Sequence, residues 1–172
     1  MAEIPLTQGK VALIDDADLP LGQDRKWYAL RRNSGEGWYA VSNISRRIGG
    51  GTVYMHRLLF PDAIRVDHKN NDGLDNRRST GNVRPCTQGQ NLANQPKCRG
   101  GSSRFKGVYW EKSRGRWAVR VGYRGRHVWL GYFADEVAAA KAYNDGAIGL
   151  YGDFAQINPL EDPSARETVV GA

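Results

Sequence analysis

The sequence predicts an α+β protein built from two small units, each with its own sheet. Short apolar runs separated by turn residues fill the first third of the chain, and a strand, strand, helix pattern follows them. Three further strands and one helix come after a segment rich in Gly and Ser. With 172 residues, of which 40% are hydrophobic, the chain is long enough for two modest cores.

The first unit is predicted to begin as an antiparallel β-meander. Its apolar runs are rich in Val, Ile, Trp and Tyr and are bounded by turn residues, which is typical of strands. They occupy residues 10–14, 26–30, 38–41 and 52–55, with turn-type segments at residues 33–37 and 49–51. A short helix is expected around residues 56–60.

A strand, strand, helix unit is predicted next. Its strands occupy residues 64–68 and 82–86, and a helix opens at Thr87, where Thr87 and Gln90 fit a capping box. Residues 96–104 have linker composition. We therefore expect a first domain at residues 1–95, a second at residues 105–158 and a tail at residues 159–172.

The second domain is predicted to be a three-stranded antiparallel sheet packed on one helix. Its strands occupy residues 105–110, 116–123 and 127–133, and the helix covers residues 135–150. In the middle strand, alternation places four bulky side chains on one face and two arginines on the other. The apolar face carries Trp117, Val119, Val121 and Tyr123, and the opposite face carries Ala118, Arg120, Gly122 and Arg124. A small-residue stripe on the helix should cover the apolar face, leaving the arginine-bearing face open; it consists of Ala139, Ala142, Tyr143, Gly146 and Ala147.

Charge points to a polyanionic partner. The net charge is +7, and residues 100–134 hold eight basic side chains against the single acid Glu111. A solvated face usually mixes both signs, so this one-sided stripe favours nucleic acid. With only two cysteines, neither a disulfide framework nor a four-cysteine zinc site is predicted. The lack of a signal sequence or an apolar span predicts a soluble cytoplasmic protein without a membrane partner.

One polar constellation lies in the strand, strand, helix unit. Asp67-His68 ends the first strand, Asn82 follows His68 by fourteen residues, and Asn91 follows Asn82 by nine. This spacing, together with the amino-acid sequence of residues 66–77, resembles the HNH nuclease family. The similarity is to its homing-endonuclease branch, in which the last His is replaced by Asn. The resemblance implies a ββα-metal nuclease unit that binds one divalent ion.

The resemblance also assigns roles. His68 would be the catalytic base, since imidazole titrates near neutrality, and Asn82 would brace the loop and orient His68. Asp67 and Asn91 would supply oxygen ligands to one Mg²⁺ or Mn²⁺ ion. Neighbouring strand residues point to opposite faces, so Asp67 shares a face with His68 only if the strand ends or twists there, as the resemblance implies. Phosphates beside the cut would be contacted by Arg77, Arg78 and Arg84, for which simple solvent exposure is the alternative.

A second resemblance covers about a third of the chain. Its anchors include Phe105-Lys106-Gly107-Val108, Trp117-Ala118-Val119, Val128-Trp129-Leu130-Gly131-Tyr132-Phe133, Ala138-Ala139, Ala142-Tyr143 and Gly152. They resemble the Apetala (ethylene-response-factor, AP2/ERF) DNA-binding domain, in which the open sheet face enters the major groove. The implied DNA contacts are Lys106, Gly107, Tyr109, Glu111, Arg120, His127 and Trp129, with Arg124 and Arg126 near phosphates. Tyr109, Glu111 and Gly122 depart from the plant pattern, so the recognised sequence does not carry over.

Together these features predict a divalent-metal-dependent DNA endonuclease of homing or phage type. It would nick or cut double-stranded DNA as a monomer or weak dimer, in the cytoplasm of a bacterial or phage-infected host cell. The alternative from a different class is a DNA-binding transcriptional regulator with an inactive nuclease fold. A structural or RNA-binding protein is the third possibility.

Overall fold

The computed structural model describes residues 1–32 and 37–161. It confirms the α+β class, with mostly antiparallel sheets. The chain divides into two compact units, Met1–Asn91 and Leu92–Ala172, hereafter unit 1 and unit 2. The predicted turn at residues 33–37, apart from Gly37, lies outside the described residues, as does the predicted tail from residue 162 onward.

Unit 1 opens with a two-stranded hairpin followed by a three-stranded sheet. The hairpin pairs β1 (Ala2–Pro5) with β2 (Val11–Ile14). The sheet has the order β3 (Tyr28–Arg31), β4 (Trp38–Ile44), β5 (Gly51–Tyr54), and α1 (Met55–Leu58) follows it. The prediction of a meander through all four apolar runs is therefore wrong for the first run. That strand pairs instead with β1, which carries too short an apolar pattern to be recognised.

The second half of unit 1 has the predicted order of strand, strand and helix. Strands β6 (Val66–His68) and β7 (Val83–Pro85) pair antiparallel, and α2 (Gln88–Asn94) follows. The capping box forms, since Thr87 Oγ1 accepts from the Gln90 amide at 3.2 Å and Gln90 Oε1 from the Thr87 amide at 2.8 Å. This order of elements is compatible with many functions, so it does not by itself make the segment a nuclease unit.

The division between the two units falls within α2, N-terminal to the predicted linker at residues 96–104. The domain limits predicted above stay a prediction. Unit 1 has a core of its own, to which the β1–β2 hairpin, the three-stranded sheet, α1 and β7 all contribute. Its buried members are Ala12, Ile14, Trp27, Ala40, Met55, Leu59 and Val83.

Unit 2 is a three-stranded antiparallel sheet with one helix across it. Strands β8 (Val108–Glu111), β9 (Arg116–Tyr123) and β10 (Arg126–Phe133) form the order β10-β9-β8, so β9 is central. Helix α3 (Glu136–Tyr151) begins after Asp135, whose carboxylate accepts from the Ala138 amide at 2.7 Å. The core between helix and sheet consists of Phe105, Val108, Val119, Val121, Ala139, Ala140, Tyr143 and Ala147. This arrangement agrees with the predicted covering of the Val119 and Val121 face.

The helix approaches the sheet closely because small residues face it. A Cβ on Gly146 would lie 2.5 Å from Leu130 Cδ1, a distance that real Cβ atoms do not reach. On the sheet side, Gly107 has φ +74°, and a Cβ there would lie 2.1 Å from the Tyr143 ring. A Cβ at Gly107 would overlap a ring and a backbone carbonyl, whereas one at Gly146 would displace the end of the Leu130 side chain.

Two buried asparagines attach the segment after α3 to the rest of unit 2. Asn144 Nδ2 donates to the Asn158 carbonyl at 2.9 Å, and the Asn158 amide donates to Asn144 Oδ1 at 2.7 Å. The Asn158 side chain accepts from the Lys106 amide at 2.7 Å and donates to the Lys106 carbonyl at 3.0 Å. These four hydrogen bonds satisfy the nitrogen and the oxygen of both buried side-chain amides, which would otherwise be unpaired. Across the described part of the chain, no helix combines the length and apolarity needed to cross a membrane.

Substituting Gly107 tests the close approach of Tyr143 to the sheet. Gly107 and Gly125 share φ +74°, but a Cβ on Gly125 would meet nothing within 4 Å. Gly125→Ala should therefore cost only the backbone strain of about 1 kcal/mol. Gly107→Ala adds overpacking and should destabilise unit 2 by at least about 2 kcal/mol more in urea unfolding. Equal losses for the two variants would show that Tyr143 moves aside freely.

Candidate nucleic-acid interface

The face of the unit 2 sheet that lies opposite α3 carries arginine and aromatic side chains. Arg120 lies midway along β9, directly opposite Trp129 of β10. Ala118, on the same face, is fully buried although no helix covers it. Its cross-strand partners are Tyr109 and Tyr132, and large rings on both sides account for its burial. We call this surface the open face.

A β-bulge brings Tyr132 onto the open face. The register passes from Trp129 opposite Arg120 to Gly131 opposite Val119, so Leu130 is extra. Strict alternation would place Trp129 and Tyr132 on opposite faces, whereas their rings lie 4.6 Å apart in an edge-to-face contact. Tyr132 is therefore an interface candidate that alternation missed. Gly131 could have indicated the bulge, because a glycine inside a predicted strand often marks one. In the structure its φ is +125°.

Two arginine side chains lie over aromatic rings of the open face. Arg120 Cζ is 5.1 Å from the centroid of Tyr109, and Arg114 Cζ is 4.7 Å from that of Tyr132. Trp129 keeps 47% of its surface exposed. A face with exposed rings and guanidinium groups suits contact with bases and phosphates.

Three of the residues predicted to contact DNA are held by other residues of unit 2, namely Lys106, Gly107 and Glu111. Lys106 Nζ donates to the carbonyls of Ala93 at 2.6 Å and Gln95 at 2.5 Å, which closes the end of α2; burial there lowers the pKa of Lys106 to about 8. Gly107 lies against Tyr143, as described above. Glu111 accepts from the Ser113 hydroxyl at 2.8 Å within the β8–β9 turn.

The remaining predicted contacts of unit 2 lie at the β9–β10 end of the sheet. Arg126 and His127 are exposed, with His127 opposite Gly122 on the open face. Arg124, with φ +50°, places its guanidinium 5.1 Å from the Tyr123 ring. The two arginines flank the open face, where phosphates of a bound duplex would run.

The three arginines predicted to contact DNA from unit 1 are paired with carboxylates. Arg77 makes two contacts of 2.7 Å with Asp75, and these contacts are the leading reason that the pKa of Asp75 is lowered. Arg78 Nε donates to the buried Asp18 at 2.7 Å, and Arg84 donates to Asp67 at 3.3 Å. The Arg78 pair joins segments far apart in sequence and the Arg84 pair joins β7 to β6, whereas the Arg77 pair lies within one loop. Their predicted role at DNA stays a prediction.

Asp67 and His68 face different partners. Asp67 lies opposite Arg84 in the β6–β7 register and contacts it, whereas His68 Nε2 lies 3.2 Å from Asn76 Oδ1. Both residues are buried. This agrees with the alternation of side chains along a strand and gives no sign of the shared face that the HNH resemblance implied.

Asn82 braces the loop between β6 and β7. Its Nδ2 donates to the Asp75 carbonyl at 2.7 Å, and its Oδ1 accepts from the Asn70 amide at 3.0 Å. Asn91 lies half-buried in α2, its amide bonded to the Thr87 carbonyl. The catalytic roles of His68 and Asn82, and the metal-ligand roles of Asp67 and Asn91, stay predictions. Within residues 1–32 and 37–161, no group of three or more His, Cys, Asp and Glu side chains could hold a metal ion.

Two buried histidines of unit 1 pack together. The His56 and His68 rings meet edge to face at 4.8 Å, beside Tyr39 and Tyr54. Burial, followed by repulsion from a charged His68, lowers the pKa of His56 to about 3. Burial also lowers the pKa of His68, although the hydrogen bond with Asn76 opposes that shift. His56 was missed as a partner of His68 because the contact joins residues distant in sequence.

Comparison with known proteins finds AP2/ERF transcription factors. The chain is 46% identical over 67 residues to an AP2/ERF and B3 domain-containing protein of Oryza sativa subsp. japonica, covering 38% of this chain and 18% of that protein. It is 32% identical over 95 residues to dehydration-responsive element-binding protein 2E of Arabidopsis thaliana, covering 49% and 36%. An AP2-like ethylene-responsive transcription factor of Arabidopsis thaliana is 33% identical over 94 residues, covering 46% and 22%. The chain thus spans well under half the length of these relatives. No family model and no solved structure matches it.

These relatives correct the predicted activity. The endonuclease prediction, of homing or phage type, is contradicted, because the relatives are DNA-binding transcription factors and none of these three is named as a nuclease. The predicted Mg²⁺ or Mn²⁺ ion is corrected with it. The cytoplasm of a bacterial or phage-infected cell is likewise contradicted by relatives that are plant transcription factors.

The second resemblance is supported. The relatives carry AP2/ERF domains, and they support an AP2/ERF-type DNA-binding domain in this chain. AP2/ERF factors bind double-stranded DNA. The predicted monomer or weak dimer stays a prediction.

Acidification should destabilise unit 1 through its histidines. The pKa of His56 is lower in the folded chain than the ordinary 6.5, so the unfolded chain binds more protons between pH 6.5 and about 3. Stability is therefore lost as the pH falls below 6.5, by about 2 kcal/mol from pH 7 to pH 5 through His56 alone. Urea unfolding followed by NMR signals of β3–β5 measures this loss. His56→Gln should make the stability depend less on pH. A urea midpoint of the wild type that does not change between pH 7 and pH 5 would contradict the prediction.

Proposed function

We propose that this chain is a duplex-DNA-binding transcriptional regulator that contacts DNA through the open face of unit 2. The observation that supports this most is the open face itself, where Arg120 lies beside exposed Trp129 and Tyr132. In its vicinity, residues 100–134 hold eight basic side chains and one acid. The AP2/ERF names of the relatives point to the same partner.

The shape of unit 2 suits this role. A three-stranded sheet backed by a helix presents one flat face, and strands can enter the major groove, where base edges are distinguishable. Arg120 would reach bases from the centre of the face, while Arg124 and Arg126 would reach phosphates at its edge. The location that goes with this function is the nucleus.

Unit 1 has a different part in the proposal. Its arginines Arg77, Arg78 and Arg84 are bound to carboxylates, which lowers their availability to phosphates. Asp67, the proposed metal ligand of the nuclease interpretation, accepts a hydrogen bond from Arg84 at 3.3 Å. The regulator hypothesis includes an inactive nuclease fold. We assign that part to unit 1, which has a nuclease-like order of elements but, in this proposal, no nuclease activity.

Replacing the central side chains should weaken DNA binding. Arg120→Ala and Trp129→Ala should each reduce affinity for a duplex selected from a random library by about fivefold or more, because a central base contact contributes about 1–3 kcal/mol. Arg46→Ala removes an equal charge from an exposed turn of unit 1 and should leave affinity unchanged. Electrophoretic mobility shifts or fluorescence anisotropy with the full chain measure these effects.

The same preparation tests the proposal against its rivals. Intact duplex after incubation with Mg²⁺ or Mn²⁺ is expected. Cleavage that His68→Ala abolishes would overturn the regulator proposal. Preference for RNA over duplex DNA in competition would overturn it in favour of an RNA-binding protein.

Salt dependence should separate phosphate contacts from base contacts. The logarithm of the affinity should fall linearly with the logarithm of salt concentration, since cationic side chains that bind phosphates release counterions from DNA. Arg126→Ala should make that slope shallower by about 1 and weaken binding to all duplexes alike. Trp129→Ala removes no charge and should leave the slope unchanged. A slope that Arg126→Ala does not alter would remove Arg126 from the interface.

A further inference from the structure

Arg120 holds a position on the open face that no other cation in the described part of unit 2 shares. It lies midway along the central strand, its amide bonded to the Gly107 carbonyl at 3.0 Å, with Trp129 directly across on β10. Arg124 and Arg126 lie at the β9–β10 turn instead. A side chain at the centre of such a face meets the floor of a groove, whereas one at the edge meets the backbone.

The contact that holds Arg120 is aromatic rather than acidic. Its Cζ lies 5.1 Å from the Tyr109 ring centroid, and no acidic side chain in the described residues pairs with it. The arginines of unit 1 differ, since Arg77 and Arg78 each donate two hydrogen bonds to a carboxylate. A contact with the face of an aromatic ring forms no hydrogen bond to an oxygen acceptor. Arg120 therefore keeps N–H donors for a ligand.

Tyr109 is itself fixed in the sheet. It lies on β8 opposite Ala118, which places it diagonally next to Arg120 on the same face, and it is half-buried. An unrestrained arginine loses much side-chain entropy on binding, and a ring that already restrains it removes part of that loss. Tyr109 is thus placed to orient Arg120 before DNA arrives.

We infer that Tyr109 is a positioning residue that orients Arg120 toward the O6 and N7 acceptors of one guanine in the major groove. This rests on the proposed function. Guanine is the base whose major-groove edge presents two acceptors in the spacing that a guanidinium fork matches. The phenol hydroxyl has no part in the contact, so phenylalanine can replace Tyr109 in this role, whereas alanine cannot.

The test uses the full chain and a duplex selected by it from a random library. Each guanine is replaced in turn by 7-deazaguanine, which lacks the N7 acceptor, and separately by inosine, which lacks the minor-groove amino group and keeps the O6 and N7 acceptors of the major groove. One guanine should be sensitive to the deaza base by about tenfold in wild type and Tyr109→Phe, and insensitive to inosine. In Tyr109→Ala, Arg120→Ala and Arg120→Lys this sensitivity should fall below about twofold. Arg126→Ala is the control, since it should weaken binding to both duplexes equally and keep the ratio.

Each outcome has a defined meaning. Failure of the wild-type chain to select any duplex overturns the proposed function. Duplex binding without a guanine sensitive to the deaza base overturns only the guanine contact of Arg120, as does greater sensitivity to inosine. Full sensitivity in Tyr109→Ala overturns the positioning role. If Tyr109→Ala fails to fold, Tyr109→Phe against Arg120→Lys still decides, because loss of sensitivity in Tyr109→Phe would contradict the role of the ring.

Discussion

The close approach of α3 to the sheet is the constraint on which unit 2 depends. Gly146 and Gly107 allow the helix and the Tyr143 ring to lie where any larger residue would overlap. Because the helix covers one side of the sheet, Val119 and Val121 of β9 are buried there, and the side chains with the opposite orientation lie on the face that the helix leaves open. A small sheet backed in this way has one face free for a partner, and in this chain that face carries the cations.

The two units use arginine in different ways. In unit 1, Arg77 and Arg78 are bound to Asp75 and Asp18, and the Arg78 pair joins segments far apart in sequence. In unit 2, Arg120 and Arg114 rest on tyrosine rings. A carboxylate neutralises the charge that attracts a phosphate, whereas a ring leaves that charge intact. The number of basic residues in a unit is therefore a weaker guide to the DNA-binding surface than the kind of side chain that each arginine contacts.

The nuclease interpretation depended on residues whose neighbours were unknown. Asp67, His68 and Asn82 lie in adjoining segments of one unit, but Asp67 contacts Arg84, His68 contacts Asn76 and His56, and Asn82 spans its own loop. Sequence spacing located the elements correctly. It could not give the contacts of each side chain, since the partners Arg84, Asn76 and His56 are brought alongside only by the fold.

What the sequence determined by itself was local. The capping box at Thr87, the strands of unit 2, and the burial of Val119 and Val121 followed from patterns spanning a few residues. Tertiary structure alone decided the pairing of β1 with β2, the capture of Lys106 by the end of α2, and the bulge that carries Tyr132 to the open face. Each of these depends on which distant segment lies alongside. One extra residue reverses the face of all that follow in a strand, and only the partner strand shows where that residue is.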